Sequence, residues 1–214
     1  MADLKKMKKD FLYNAKKQGI LIVKDQNEEP FNLKSGKKSR VYWDARDAMR
    51  YSNFRSTVGR LMAETFYKPA RLHFPPDQVI GVPVGALPLA QATADQWDYV
   101  NGSDQPDLVL LRDTPKTHGN ASAENWLVGS SLASAHTCVI EDTVTTAGSL
   151  LKVIDTLQNK AGVNVTTAMS LIDRSFGTAE KALAEQNVKF RSVFTMEDLL
   201  PPDLLEEERA NYFA

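Results

Sequence analysis

Apolar residues at the start of the chain recur at helical spacing. Leu4, Met7, Phe11, Leu12 and Ala15 share one face, lysines fill the other, and Gly19 supplies a stop. Ile20 to Val23 is a short β-type run. Polar turn material follows, then Phe31-Asn32-Leu33, a Ser35-Gly36 turn and Val41-Tyr42-Trp43, which together predict a small β-rich piece. Phe54, Val58, Leu61 and Met62 predict a helix from Asn53 to Phe66, and Pro75-Pro76 breaks the chain. Beyond that break the rhythm becomes regular. Continuous apolar runs (Val79 to Val82, Leu108 to Leu111, Thr137 to Ile140, Val163 to Ile172, Val188 to Phe194) alternate with the apolar stretch Ala86 to Ala94 and with helical segments at about Ser149 to Lys160 and Thr178 to Gln186. Runs that lack polar alternation are strands covered on both faces. The pattern therefore predicts an α/β fold with a mostly parallel central sheet flanked by helices. Residues 1–70 read as an N-terminal helix/β flank or hood, 71–200 as the α/β core, and 201–214 as an acidic C-terminal tail with a final turn of helix, all within one domain.

Composition narrows the class. The 214 residues are 43% hydrophobic and 25% charged, which is enough apolar material for a real core. The formal net charge of -1 suggests neither a nucleic acid nor an anionic membrane as partner. Asp3 and Asp10 interrupt the N-terminal lysines and no long apolar stretch follows, so the start is a poor signal peptide and no run is long enough to span a bilayer. The single cysteine, Cys138, allows no intrachain disulfide and fits a reducing compartment. These features read as a cytoplasmic protein.

Ligands of open α/β sheets bind in the loops at the carboxyl ends of the strands, and one such loop carries chemistry. In Cys138-Val139-Ile140-Glu141-Asp142-Thr143-Val144-Thr145-Thr146-Ala147-Gly148-Ser149-Leu150 an apolar strand ends in two acids, a small hydroxyl-rich loop follows, and a helix starts. The free N–H groups of a helix N-terminus attract a phosphate, and small residues let the backbone approach it. Thr145, Thr146 and Ser149 add hydroxyl donors. Glu141 and Asp142 would repel a phosphate and instead suit sugar hydroxyls or a developing positive charge. An acid pair beside a phosphate cup implies a ribose 5-phosphate. The loop lacks the Gly-Lys-Ser/Thr of a Walker loop.

That segment resembles the signature of the type I phosphoribosyltransferases, and four further segments, in order, resemble the orotate phosphoribosyltransferases among them. Phe31-Asn32-Leu33-Lys34-Ser35-Gly36-Lys37-Lys38-Ser39 is similar to an early segment whose lysine, here Lys34, lies at the ligand site, and Tyr42-Trp43 falls where the family places residues beside the base. Gly81-Val82-Pro83-Val84-Gly85-Ala86-Leu87-Pro88-Leu89-Ala90 resembles the loop whose backbone holds pyrophosphate. Arg112, Lys116 and His118 match the cations of a mobile catalytic loop, and Ser170-Leu171-Ile172-Asp173-Arg174 supplies the arginine, Arg174, that pairs with the carboxylate of orotate. The resemblance spans about Phe31 to Thr195.

It implies Mg²⁺-dependent transfer of the 5-phosphoribosyl group from phosphoribosyl pyrophosphate to orotate, giving orotidine 5'-phosphate and pyrophosphate in pyrimidine biosynthesis. Lys116, His118, Arg112 and Asp142 are the expected catalytic residues. Lys34, Tyr42, Trp43, Pro83, Glu141, Thr145, Thr146, Ala147, Gly148, Ser149 and Arg174 are expected to bind substrate. No protein metal cage is expected, the Mg²⁺ being carried mainly by the substrate, and the family implies a homodimer with shared active sites. Three positions depart from the family pattern: Asp113 where a lysine is usual, Ala147 where glycine is common, and Val84 in place of a tyrosine. Two rivals stand beside this reading: a phosphoribosyltransferase for another base, against which Arg174 argues, and a non-catalytic regulator that binds phosphoribosyl pyrophosphate, which Asp113 favours.

Overall fold

The protein is described from a computed structural model that covers residues 2–32, 38–70, 76–97, 105–116, 126–128 and 135–213. A six-stranded sheet forms its centre. Its strands are β5 (Gln78–Gly81), β6 (Asp107–Leu111), β7 (Leu127–Val128), β8 (Thr137–Val144), β9 (Val165–Asp173) and β10 (Lys189–Thr195), in the order β10-β9-β8-β5-β6-β7. All neighbours are parallel except β6 and the short edge strand β7. β5 and β8 are adjacent, and the chain runs outward from them in opposite directions. The loops leaving these two strands therefore diverge and open a crevice at the carboxyl edge of the sheet.

Helices α4 (Leu87–Asp95), α5 (Gly148–Asp155) and α6 (Thr178–Ala184) connect the parallel strands. The stretch Ala86 to Ala94 is thus largely helical, with Pro88 in the first turn, where its missing N–H costs nothing. α5 does not run as one α-helix to Lys160, because Thr156–Lys160 widens into a π-helical turn. Two apolar clusters lie on the two faces of the sheet. Ile80, Val139, Leu150, Ile154 and Ala168 belong to one, and Val79, Cys138, Ile140, Met169 and Leu171 to the other. Alternate residues of β8 enter opposite clusters, as strand geometry requires. Burial pushes the Cys138 thiol up, consistent with an inert core residue.

The N-terminal flank comprises α1 (Ala2–Lys17), β1 (Leu21–Val23), β2 (Phe31–Asn32), β3 (Lys38–Ser39), β4 (Val41–Trp43), α2 (Ala45–Ala48) and α3 (Ser52–Ala70). β1 pairs with β4 and β2 with β3, both antiparallel. Phe11 of α1 stacks on Phe194 of β10, with ring centroids 5.6 Å apart, and meets Phe54 of α3 edge-on at 5.4 Å. The flank therefore shares one apolar cluster with the sheet. α3 lies tight against α4, because a Cβ built on Gly59 would sit 2.0 Å from the Ala92 carbonyl oxygen.

The carboxyl end differs most from the sequence pattern. After α7 (Met196–Leu199), the acidic tail forms a three-turn helix, α8 (Pro202–Phe213), rather than a single turn. Leu204 and Glu208, one i,i+4 pair, are its buried residues. One of the two buried residues of this helix is charged, so apolar periodicity does not reveal its docking.

Candidate active site

β8 continues three residues past Glu141, because Glu141, Thr143 and Val144 pair with Ser170, Ile172 and Asp173 of β9. The two acids therefore lie on the strand itself and, by alternation, face opposite sides of it. Glu141 lines a small hollow of about 50 Å³ with Thr143 to Leu150. Asp142 turns toward the loop after β5, where a Cβ built on Gly85 would lie 3.7 Å from its Oδ2. Glu141 is 8% exposed. Burial, with Asp142 adding to it, pushes its carboxyl up to about 8.

Thr145, Thr146, Gly148 and Ser149 are exposed around the start of α5. Ala147, just before the helix, is buried and left-handed, at φ 59° and ψ 4°. The loop thus keeps the turn that a glycine would adopt, and the alanine carries the steric cost of its Cβ there, of the order of 1–2 kcal/mol. No side chain caps α5. Its first N–H groups remain available to an anion from the hollow side.

The loop after β5 packs against this one. Val82 N–H donates to the Ile140 carbonyl at 2.8 Å and Ala86 N–H to Val82 O at 3.1 Å. A Cβ on Gly81 would meet the Ala86 carbonyl oxygen at 2.6 Å, so only glycine permits this tight return. The Pro83–Val84 peptide is cis, and Val84 points outward, 66% exposed. Pro83 lines a second cleft, of about 380 Å³, with Arg112, Asp113, Trp126, Ser149 and Lys152. Ser149 borders both hollows, so the helix start joins them. Arg112 has its Nε buried with no hydrogen-bond partner among the described residues, while Asp113 and Lys116 are exposed.

Arg174 follows β9, and its N–H donates to the Val144 carbonyl at 2.8 Å, which sets it beside the phosphate-type loop. Its side chain is 12% exposed. Burial lowers its pKa and Glu208 partly restores it. Nη2 donates to Ser39 Oγ at 2.5 Å and approaches Glu208 Oε1 at 3.4 Å. Ser39 Oγ in turn donates to Glu208 Oε1 at 2.5 Å, and Arg40 N–H donates to Oε2 at 2.9 Å. One turn further along α8, the Tyr212 hydroxyl donates to the Thr145 carbonyl at 2.9 Å and meets Thr178 Oγ1 at 2.7 Å.

The structure thus brings Glu141 and Thr145 to Ser149 together, sets Pro83, Gly85 and Arg112 on the adjoining side, and holds Arg174 next to Val144. Tyr42 is exposed and tilts against Phe31, at 5.5 Å between centroids, whereas Trp43 turns inward against Phe11 at 5.8 Å. Trp43 therefore packs against the core, and its buried indole N–H has no partner among the described residues. Lys34 and His118 lie outside the described residues. Sequence reasoning did not single out Ser39, Glu208 or Tyr212. Ser39 had a signal within its motif, but Glu208 sits in the run Glu206-Glu207-Glu208, where nothing local separates the buried acid from its neighbours.

Known proteins share this fold. The crystal structure of orotate phosphoribosyltransferase from Francisella tularensis matches the fold with a TM-score of 0.70 at 18% identity, over 94% of this chain and 96% of that one. That of the Mycobacterium tuberculosis H37Rv enzyme in complex with 5-phospho-alpha-D-ribosyl 1-diphosphate matches at 0.63 and 23% identity, over 90% and 98%. The fold is that of the type I phosphoribosyltransferases. In sequence, the orotate phosphoribosyltransferase of Bacteroides fragilis is 30% identical over 205 residues, which cover 92% of this chain and 88% of that protein. No protein-family model matches the chain. At this identity and coverage, the chain belongs to the orotate phosphoribosyltransferase family.

Proposed function

We propose that this chain transfers the phosphoribosyl group of phosphoribosyl pyrophosphate to orotate. The observation that supports the reading is the placement of Arg174, whose backbone N–H donates to Val144 at the start of the loop that offers a phosphate cup and whose guanidinium meets Ser39 and Glu208. In this reading the 5-phosphate rests on the N–H and hydroxyl groups of Thr145 to Ser149, and Glu141 and Asp142 take the ribose hydroxyls. The pyrophosphate lies along the Pro83–Gly85 loop. Departure of pyrophosphate leaves positive charge on the ribose, which Asp142 and the ionised form of Glu141 stabilise, and negative charge on the leaving group, which Lys34, Arg112, Lys116 and His118 stabilise. Arg174 orients orotate through its carboxylate, and a ring nitrogen attacks.

Mg²⁺ belongs to the reading as a companion of the substrate, where it would neutralise pyrophosphate charge. Glu141 and Asp142 are the oxygen donors beside that place. No group of three or more metal-ligating side chains stands together among the described residues. A homodimer, in which the Arg112–Lys116 segment of one subunit serves the other's site, and a cytoplasmic role in pyrimidine biosynthesis complete the proposal. No helix among the described residues is long and apolar enough to cross a membrane.

The test is turnover of orotate with phosphoribosyl pyrophosphate and Mg²⁺, followed by loss of orotate absorbance, with Arg174→Ala alongside. Turnover that collapses in the variant is the expected result. A wild-type chain that leaves orotate untouched while using another base would overturn the proposal.

A further inference from the structure

The C-terminal helix reaches the site at two points, and nothing in the proposed reaction uses it. Glu208 is the informative one. Its side chain is 6% exposed, and its carboxylate is filled by donors: Ser39 Oγ–H and Arg174 Nη2 on Oε1, and Arg40 N–H on Oε2. A buried carboxylate held by three donors is a fixed structural element. It draws together three distant parts of the chain: β3, the end of β9, and α8.

The consequence falls on Arg174. A guanidinium is planar, with five N–H donors in a rigid fork. Ser39 and Glu208 both engage a single nitrogen, Nη2. Among the described residues no acceptor engages Nε or Nη1. Two acceptors on one nitrogen restrict rotation of the planar group and leave its other donors without an acceptor among the described residues. An arginine held this way presents a preset edge to a planar carboxylate, so ordering a long side chain on binding costs less.

We propose that Glu208 is a positioning residue of the base site. Through Nη2, relayed by Ser39, it orients Arg174 so that the free donors of the guanidinium receive the carboxylate of the base, and α8 thereby becomes a wall of that site. The proposal rests on the orotate reading above. Arg40 adds a second tie between the same elements, its Nε donating to Glu207 Oε2 at 2.9 Å, so α8 stays docked when Glu208 is altered conservatively.

The test is a double-mutant cycle in the full chain: wild type, Glu208→Gln, Arg174→Ala and the double variant, each assayed for the KM of both substrates and for kcat. Glutamine keeps the size of the side chain and removes the ionic hold on Nη2. The expected result is a KM for orotate raised about ten-fold by Glu208→Gln in the wild-type background, with the KM for phosphoribosyl pyrophosphate within two-fold. In the Arg174→Ala background the same change alters the orotate KM by less than two-fold, because Glu208 acts through the arginine. Ser39→Ala reproduces the selective rise and serves as the second variant where Glu208→Gln fails to fold. Equal effects in both backgrounds, or parallel rises in both KM values, would reduce Glu208 to a structural tie and overturn the proposal. A fall in the orotate KM would also overturn it, since Glu208 would then be a competitor of the substrate carboxylate. A wild-type chain that uses only a base without a carboxylate overturns the orotate reading and this proposal with it, whereas orotate turnover with no selective change in Glu208→Gln overturns this proposal alone. A chain with no turnover on any base overturns both.

Discussion

Glu141→Gln removes a carboxyl that burial and Asp142 push up to about 8, from an ordinary value of 4.5. A raised acid binds its proton more tightly in the folded chain, so its favourable contribution is complete below 4.5 and is lost as pH rises through 8. Between pH 5.5 and 8 the linkage amounts to about 3 kcal/mol, at about 1.4 kcal/mol for each pH unit in which the folded state keeps the proton. Water entry into an open loop reduces this to about 1–3 kcal/mol. Glutamine fills the same space and does not titrate. In urea unfolding of both proteins at pH 5.5 and pH 8.0, the stability of Glu141→Gln relative to wild type should therefore rise by that amount between the two conditions. The same variant should lose affinity for phosphoribosyl pyrophosphate, as expected where a functional acid is held against its solvation preference. An identical gap at the two pH values would refute the reasoning, because Glu141 would then be as well solvated in the folded chain as in the unfolded one.

Three other outcomes follow from the geometry. Ala147→Gly relieves the Cβ at φ 59° and should raise unfolding stability by about 0.5–1 kcal/mol; an unchanged denaturant midpoint would count against strain at that turn. Gly59→Ala gains about 1 kcal/mol of helix propensity, but its Cβ would lie 2.0 Å from Ala92 O. The clash, about 2–3 kcal/mol by analogy with overpacked cores, should win, and thermal unfolding should show a midpoint several degrees lower. Asp113→Lys changes an exposed position beside Arg112 by two charges and should raise kcat by about three- to ten-fold if leaving-group stabilisation limits turnover, with the orotate KM little changed in steady-state assays.

The parallel sheet was legible because buried strands must be apolar along their whole length, and Val79 to Val82, Leu108 to Leu111 and Thr137 to Ile140 satisfy that with no partner specified. The phosphate-type loop was legible because its requirements are local: small residues, hydroxyls and a helix start adjoining two acids. Ala147 shows the limit of such local reading, since it departs from the usual glycine and the fold imposes the glycine-like conformation all the same. Other features were settled only when distant segments met. Strand pairing with β9 carried β8 past the acids and turned Glu141 and Asp142 to opposite faces. The packing of Trp43 against Phe11 was likewise settled only in the fold, because the contact joins β4 to α1. The tail was least legible, because its anchor is the buried Glu208, whose partners Ser39 and Arg174 lie 169 and 34 residues away. Apolar burial leaves a periodic trace in one segment. A buried charge becomes stable only beside donors supplied from elsewhere in the chain, so its place is decided by the tertiary structure.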